Sequence, residues 1–212
     1  MSQPHNTTSS ENLAVRAHRK MIMGRRVRQI SKHIAEIIPV DVVSMLDVGA
    51  GTGEMALAIK NHRPRLDING VDVYVRPKTF VPVKKYDGIK LPFADGAFDA
   101  VMTVDVLHHC ADPVATLEEC ARVARRWVII KDHVSNNSLD KATLRFMDWV
   151  GNRAHGVVLP YNYLSSIDWE EAFDRIDLIK INQCDRLELY PQPLETIFGG
   201  SLHCLYLLKK KE

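Results

Sequence analysis

A glycine-rich turn near position 50 constrains the fold of this chain more than any other feature. Gly49, Gly51 and Gly53 stand at alternate positions. They directly follow the apolar run 42–48 and directly precede a stretch with helical periodicity at 54–60. Such a turn lets the backbone reverse sharply and lets a ligand approach the main chain closely. The pattern therefore predicts a strand, a ligand-binding turn and a helix.

Strand-like and helix-like stretches alternate through the middle of the chain. The runs 66–73, 98–104 and 127–131 are short and apolar, as buried strands are. The stretch 113–125 repeats its apolar residues with a helical period. This alternation predicts a parallel sheet with helices on both of its faces.

The C-terminal third departs from the alternation. A helix is expected at 139–150 and a loop at 156–163, and Ser166 is a candidate N-cap for a further helix. Strand-like runs at 178–184 and 203–209 close the chain, and prolines and glycines lie between them. That connection favours antiparallel neighbours over a helical crossover.

The first 40 residues differ in charge from the rest. They hold seven Lys and Arg residues against two Glu, whereas the remaining chain holds 21 against 24 acidic residues. Residues 1–10 predict a disordered lead-in, residues 11–39 a basic helical segment, and residues 40–212 the main domain. Most basic helices are simply solvated, but this one also suits an acidic partner such as an acyl carrier protein. The residues that would contact such a partner are Arg19, Lys20, Arg25, Arg26 and Arg28.

Cysteine spacing and the length of the apolar runs indicate the cellular compartment of the protein. Four scattered cysteines without a Cys-x-x-Cys pair are typical of reduced thiols rather than of a disulfide scaffold. The apolar runs fall short of the roughly 18 residues of a transmembrane helix, and the polar start does not resemble a signal peptide. We therefore expect a cytoplasmic protein, and the sequence is compatible with an oligomer.

The glycine turn by itself fits two kinds of ligand. Gly51, Gly53 and Ala56 can be read as a dinucleotide-binding pattern, and Asp72, nineteen residues after Gly53, suits a ribose in either case. Asp47, just before the first glycine, would repel a pyrophosphate but suits a cationic ligand. The turn thus favours a cationic ligand, with an NAD(P)-dependent Rossmann oxidoreductase as the alternative.

Four motifs, in order along the chain, carry a resemblance to a known family. They are Leu-Asp-Val-Gly-Ala-Gly-Thr-Gly at 46–53, Val-Asp at 71–72, Tyr-Asp-Gly with Leu-Pro-Phe within 86–93, and Phe-Asp-Ala-Val with Val-Leu-His-His within 98–109. Over residues 42–132 the chain resembles the class I S-adenosylmethionine-dependent methyltransferases, most closely the ubiquinone- and menaquinone-biosynthesis type. The resemblance implies an α/β fold with a Rossmann-like, doubly wound seven-stranded sheet, mostly parallel with an antiparallel last strand. It also implies S-adenosyl-L-methionine as cofactor and S-adenosyl-L-homocysteine as product.

The resemblance places the cofactor along the carboxyl edge of the sheet. The glycine turn would pack against its methionine part and ribose, Asp72 would bind the ribose hydroxyls, and Val73 would lie against the adenine. Asp87 would accept from the adenine amine, and Val104 and Asp105 would lie near the sulfonium. The expected cofactor-binding residues are Asp47, Gly49, Ala50, Gly51, Thr52, Gly53, Asp72, Val73, Asp87, Gly88, Ile89, Val104 and Asp105.

Two segments are less typical of the family. Its members usually place an Arg-Pro-Gly-Gly turn before the fifth strand, whereas residues 122–127 run straight into it. This departure affects the local loop rather than the cofactor site. Residues 138–165 form an insertion, which in this fold typically builds a lid over the substrate.

Two histidines are the candidate catalytic residues. Methyl transfer is an in-line displacement, so the enzyme positions the acceptor and supplies a base where the acceptor must lose a proton. His109 and His133 each follow a predicted strand at the cofactor edge and suit that role. No metal is expected, because the paired His and Cys residues are adjacent rather than spaced. The candidate substrate residues are His108, Trp149, His155, Tyr161 and Tyr163.

The function predicted from the sequence is transfer of a methyl group to an oxygen or carbon of a small, hydrophobic or carrier-tethered substrate. Aromatic residues in the insertion suit such an acceptor, although aromatic stripes are also typical of cores. The alternatives are a methyltransferase-like module that binds the cofactor without catalysis, and the oxidoreductase. Nucleic acid is an unlikely substrate, because the chain lacks a base-flipping motif and its body is slightly acidic.

Overall fold

One sheet of seven strands organises the computed structural model, which describes residues 13–152, 160–184 and 186–211. The strands are β1 (Ser44–Val48), β2 (Asp67–Asp72), β3 (Val83–Lys85), β4 (Phe98–Val104), β5 (Ala124–His133), β6 (Leu178–Cys184) and β7 (His203–Lys210). The helices are α1 (Leu13–Ile37), α2 (Glu54–His62), α3 (Pro113–Val123), α4 (Ser138–Asn152), α5 (Ser166–Arg175) and α6 (Leu194–Phe198). Single 3₁₀ turns lie at Leu107–His109 and Gly200–Leu202.

The order of the strands places a ligand-binding edge at the centre of the sheet. The order is β3-β2-β1-β4-β5-β7-β6, and β7 runs antiparallel to both of its neighbours, whereas β1 to β5 pair in parallel. Val48 at the end of β1 lies beside Val71 of β2 and Thr103 of β4. The chain order reverses between β1 and β4, and open α/β sheets bind ligands at such a switch point, beyond the carboxyl ends of the strands. The predicted fold class is confirmed.

Alternate residues of β1 enter two different cores. Met45 packs on the face that α1 and α2 cover, whereas Leu46 packs on the opposite face against α3 and α5. Ile30 and Ile34 of α1 are buried in the first of these cores. Arg26 lies four residues before Ile30, so it projects from the same face of the helix. Packing of α1 therefore carries a basic side chain towards the sheet.

Several local predictions were wrong in detail. The sequence pattern missed β3, because this edge strand reads Val-Lys-Lys and has a single apolar side chain. β5 begins at Ala124 rather than at 127, because α3 passes into it directly. The N-cap of α5 is Ser165 rather than Ser166, and its hydroxyl accepts from the Asp168 amide at 3.1 Å in a capping box. The proposed lead-in at 1–10 lies outside the described residues.

Candidate active site

The three glycines of the turn after β1 all adopt left-handed backbone conformations. Their φ angles are +77° at Gly49, +57° at Gly51 and +76° at Gly53, and residues with a Cβ rarely adopt such values. A Cβ at Gly49 would lie 2.4 Å from Val106 Cγ2, so this glycine is required by packing. A Cβ at Gly51 would meet nothing within 4 Å. The middle of the turn therefore faces open space that a ligand can fill.

Asp47 offers a carboxyl group with an unpaired oxygen beneath this turn. Its side chain is 2% exposed, and its Oδ2 atom has no hydrogen-bond partner among the described residues. Burial, and then the neighbouring Asp72 carboxylate, raise the pKa of Asp47 to about 8. Because an unpaired buried carboxylate is costly, a cationic group at this position would stabilise its charged form. This environment fits the ammonium group of a bound amino-acid moiety.

Asp72 at the end of β2 holds the turn and retains capacity for a ligand. Its Oδ2 accepts from the Gly51 amide and its Oδ1 from the Tyr74 amide, each at 2.8 Å. A carboxylate has about four acceptor sites, so two backbone bonds leave others for ribose hydroxyls. The turn is closed by the Ala50 amide, which donates to the Val71 carbonyl at 3.1 Å, and by the Thr52 carbonyl, which accepts from the Phe80 amide at 2.8 Å.

An apolar surface lies next to Asp72. Val73 is 53% exposed and Ile89 is 78% exposed, although both are aliphatic. Gly88, with a φ of +82°, lies so close that a Cβ there would be 3.1 Å from Val73 Cγ1. Asp87 Oδ1 accepts from the amides of Ile89 and Lys90, and these bonds lower the pKa of Asp87. The geometry fits a flat heterocycle between two aliphatic side chains with a carboxylate nearby.

Asp105, directly after Val104 and β4, is the centre of a partly buried ion-pair network. Its φ is +56°, and its two carboxylate oxygens pair with Arg26 Nη2 at 2.9 Å and with Lys131 Nζ. Burial raises the pKa of Asp105, but the two cations outweigh it, so the pKa lies well below its usual range. Arg26 also donates to the Tyr190 hydroxyl. Because Arg26 points into the site and is 13% exposed, it offers little surface to a carrier protein, and docking of a carrier stays a prediction.

His203 extends this network in a defined tautomer. Its Nε2 lies 2.8 Å from the Phe198 carbonyl, which can only accept, so Nε2 carries the proton. Nδ1 then accepts from Lys131 Nζ at 3.3 Å. Burial, and then the charge of Lys131, hold the pKa of His203 well below its usual range. His203 is therefore neutral.

The predicted residues His108 and His133 converge on Asp132 of β5. Asp132 Oδ1 lies 2.5 Å from His108 Nδ1 and accepts from the His133 amide at 2.8 Å, and Oδ2 accepts from the Leu107 amide at 2.9 Å. Burial, and then the charge of Lys131, lower the pKa of His133 to about 4. His133 is therefore a neutral imidazole at pH 7, able to accept a proton.

The other predicted catalytic residue, His109, lies beside this pair. Its ring centroid is 3.9 Å from that of His108, and its Nδ1 is buried without a partner among the described residues. Burial, and then the charge of His108, lower the pKa of His109. Both candidate bases are thus neutral, and each lies against the ring of His108.

The predicted substrate residues of the insertion lie in different places: the two tyrosines are near His108, whereas Trp149 is half exposed. Tyr163 donates to Asp148 and stacks on His108, with ring centroids 5.6 Å apart. Tyr161 lies beside Tyr163, with centroids 6.2 Å apart. Trp149 is 50% exposed, and its ring lies 6.4 Å from that of Phe146. His155 lies outside the described residues.

Sequence spacing did not reveal that His108, Asp132 and His133 form a cluster. Their donor atoms lie within 4.8 Å of one another, close enough to surround an ion. With His108 protonated, as its raised pKa favours, the charges balance without one, because three cations then face three carboxylates in this region. These groups are Arg26, Lys131 and His108 against Asp105, Asp132 and Asp148. The prediction that no metal binds stays a prediction.

The sheet order, with its antiparallel β7 and a glycine turn at the switch point, defines the Rossmann-like fold of the class I methyltransferases. Residues 46–129 match the model of the family described as the methyltransferase domain. That family uses S-adenosyl-L-methionine. Within the described residues, every helix is too short or too polar to cross a membrane.

Similar proteins agree with this assignment. The demethylmenaquinone methyltransferase of Thermotoga maritima is 31% identical over 103 residues, which is 45% of each chain. The chain thus spans less than half the length of this curated relative. A Haloferax volcanii methyltransferase solved in complex with the Trm112 methyltransferase activator is 18% identical, with a TM-score of 0.69 over 94% of this chain and 95% of that one. The [4+2]-cyclase SpnF shares the fold at 16% identity, with a TM-score of 0.60 over 86% and 80% of the chains.

Proposed function

We propose that this protein transfers a methyl group from S-adenosyl-L-methionine to an oxygen or carbon of a small, hydrophobic acceptor. The single observation that carries the proposal is the turn at Gly49–Gly53, where the open face of Gly51 lies between the unpaired Asp47 carboxylate and Asp72. Asp47 would face the cofactor's ammonium, and Asp72 would bind its ribose hydroxyls. When bound, the cofactor supplies the electrophilic methyl group.

The acceptor side is proposed to lie over β4 and β5. An oxygen acceptor such as a phenol must lose a proton as the methyl group is transferred. His133 is neutral and held by its backbone bond to Asp132, so we assign it the role of proton acceptor, with His109 as the alternative. The cations Arg26 and Lys131 would favour the negative charge that develops on the acceptor oxygen.

A hydroquinone-like acceptor is the specific class that we favour. The similarity to demethylmenaquinone methyltransferases supports it, as do the exposed rings of Phe146 and Trp149 on α4. These rings would provide an apolar surface for such a substrate. Presentation by an acidic carrier has less support, because Arg26 is engaged in the site and Arg25 donates to the Glu188 carbonyl. The side chains of Arg19 and Lys20 lie outside those that the structure describes.

A turnover assay tests the proposal. Methyl-labelled S-adenosyl-L-methionine is incubated with the full chain and a panel of reduced short-chain quinols, catechols and acyl thioesters, and labelled product is measured. We expect transfer to at least one quinol, and we expect Asp72→Ala to lower it at least about 100-fold because two charge-assisted hydrogen bonds are lost. Asp67→Ala is the matched control, since Asp67 is exposed at the other end of β2. Its turnover should match the wild type.

Two outcomes would contradict the proposal. Cofactor binding without transfer to any acceptor class would favour the cofactor-binding module, an outcome made reasonable by a cyclase with the same fold. Binding of NADH in place of S-adenosyl-L-homocysteine would favour the oxidoreductase.

A further inference from the structure

His108 joins carboxylates from two separate parts of the fold. Its Nδ1 lies 2.5 Å from Asp132 Oδ1 on β5, and its Nε2 lies 3.6 Å from Asp148 Oδ2 on α4. The three side chains are 2%, 1% and 11% exposed. A carboxylate oxygen can only accept, so Nδ1 donates to Asp132, and the Asp148 carboxylate in front of Nε2 favours a second proton there. The geometry therefore favours an imidazolium.

The charges around the ring agree with this state. Burial alone would lower the pKa of His108, but Asp132 and then Asp148 and Asp105 raise it, and the net direction is upward. The neutral rings of His133, His109 and Tyr163 also face the imidazolium. One imidazolium between two carboxylates leaves one negative charge, which balances the excess positive charge of Arg26 and Lys131 over Asp105.

The side chain of His108 is a polar link between α4 and the core, in addition to the buried side chain of Leu144. Tyr163 donates to the same Asp148 oxygen and stacks on the His108 ring at an interplanar angle of 27°. The segment that carries Tyr163 is also held by the backbone, because the Asn162 amide donates to the His108 carbonyl at 3.2 Å. The contact of His108 with Asp148, by contrast, is made by side chains alone. Loss of the imidazole should therefore loosen α4 more than residues 160–165.

We propose that His108 is a positioning residue, which bridges Asp132 of the core to Asp148 of α4 and so fixes α4 over the acceptor side of the site. The location of the acceptor rests on the proposed function. The bridge itself does not, because it can be measured without turnover.

Hydrogen exchange of the full-length protein tests the bridge. In His108→Gln the two carboxylates lose their cation, and we expect the amides of α4 to exchange at least about 10-fold faster while those of α2 and α3 are unchanged. The double variant His108→Gln/Asp148→Asn has the wild-type net charge and can form neutral hydrogen bonds, so it should recover most of the protection. His62→Gln, an exposed histidine at the end of α2, is the matched control and should leave α4 unchanged.

Two further measurements separate a positioning role from a merely structural one. Nitrogen-15 NMR of the wild-type histidine rings should show both nitrogens of His108 protonated at pH 7.5, and a neutral ring would overturn the proposal. Faster exchange spread over all helices and not rescued in the double variant would also overturn it. Titration with S-adenosyl-L-homocysteine is run in parallel, and His108→Gln should bind within about twofold of the wild type. Absence of binding by the wild type would contradict the proposed function and leave the bridge intact.

Discussion

The two halves of the carboxyl edge are built in different ways. The half proposed to bind the cofactor, the cofactor half, consists of the turns after β1, β2 and β3, all within residues 46–89, and its polar groups are held mainly by backbone amides. The acceptor half gathers side chains from α1, β4, β5, α4 and β7, and it is held by buried charges. The first half depends on backbone conformation and the second on charge balance.

This difference predicts which property each substitution changes. Because buried charges contribute to the folded state only when they are compensated, changes in the acceptor half should first affect stability. The cofactor half is open and locally held, so changes there should first affect ligand affinity. Substitutions in each half, with stability and ligand affinity both measured, test this distinction.

The largest expected effect is at Lys131. Lys131→Met leaves the Asp105 carboxylate with Arg26 alone and removes the donor to His203, so we expect the free energy of unfolding to fall by about 3 kcal/mol and Tm by about 9 °C. Lys32→Met is the control, because Lys32 is 60% exposed and its ion pair with Glu36 is long, at 3.9 Å. Denaturant melts of both variants measure the free energy of unfolding, and thermal melts measure Tm. An unchanged midpoint for Lys131→Met would show that the acceptor half does not depend on charge balance.

The two glycines of the turn should separate stability from affinity. A Cβ at Gly49 would meet Val106, so Gly49→Ala should lower the free energy of unfolding by about 2 kcal/mol or more. Gly51 faces open space, so Gly51→Ala should cost only about 1 kcal/mol for its positive φ while weakening S-adenosyl-L-homocysteine binding about tenfold. Thermal melts and calorimetric titration provide both quantities. Full affinity in Gly51→Ala would place the ligand elsewhere.

Asp47→Asn is expected to raise stability at high pH but to weaken binding of the cofactor product. Its folded-state pKa of about 8 exceeds the unfolded value, so the folded state binds the extra proton and the wild type loses stability as pH rises from about 4 to about 8. Asp47→Asn removes this loss, so the variant should be more stable than the wild type at pH 8.5 and about equal to it at pH 4. Urea melts at the two pH values test this. The same variant should bind S-adenosyl-L-homocysteine more weakly, and equal or tighter binding would mean that Asp47 does not face the ammonium.

The sequence predicted the glycine turn and the acid at the end of β2 because their information is local, and the role of these residues in binding the cofactor stays a prediction. A glycine at each left-handed position and an acid at the end of β2 are readable as spacing, since the turn and its ligand contacts come from consecutive residues. The same holds for the alternation that predicted the sheet. β3 was not predicted, because an exposed edge strand needs no apolar run.

The acceptor half could be predicted only in part. His108, His109 and His133 were found because each follows a strand, but their partners come from distant segments. Arg26 offered one usable signal, its spacing of four from Ile30 and of eight from Ile34 on the buried face of α1. Asp148 and His203 offered none, because side chains that meet across separate elements leave no periodic trace in the sequence.

Calorimetric titration of Asp72→Asn with S-adenosyl-L-homocysteine tests the central claim most directly. The substitution keeps the shape of the side chain but removes its charge and one acceptor, and we predict about tenfold weaker binding than in the wild type. Asp67→Asn, at the opposite end of the same strand, should bind as the wild type does. Equal affinity of Asp72→Asn and the wild type would contradict the assignment of this edge as the cofactor site.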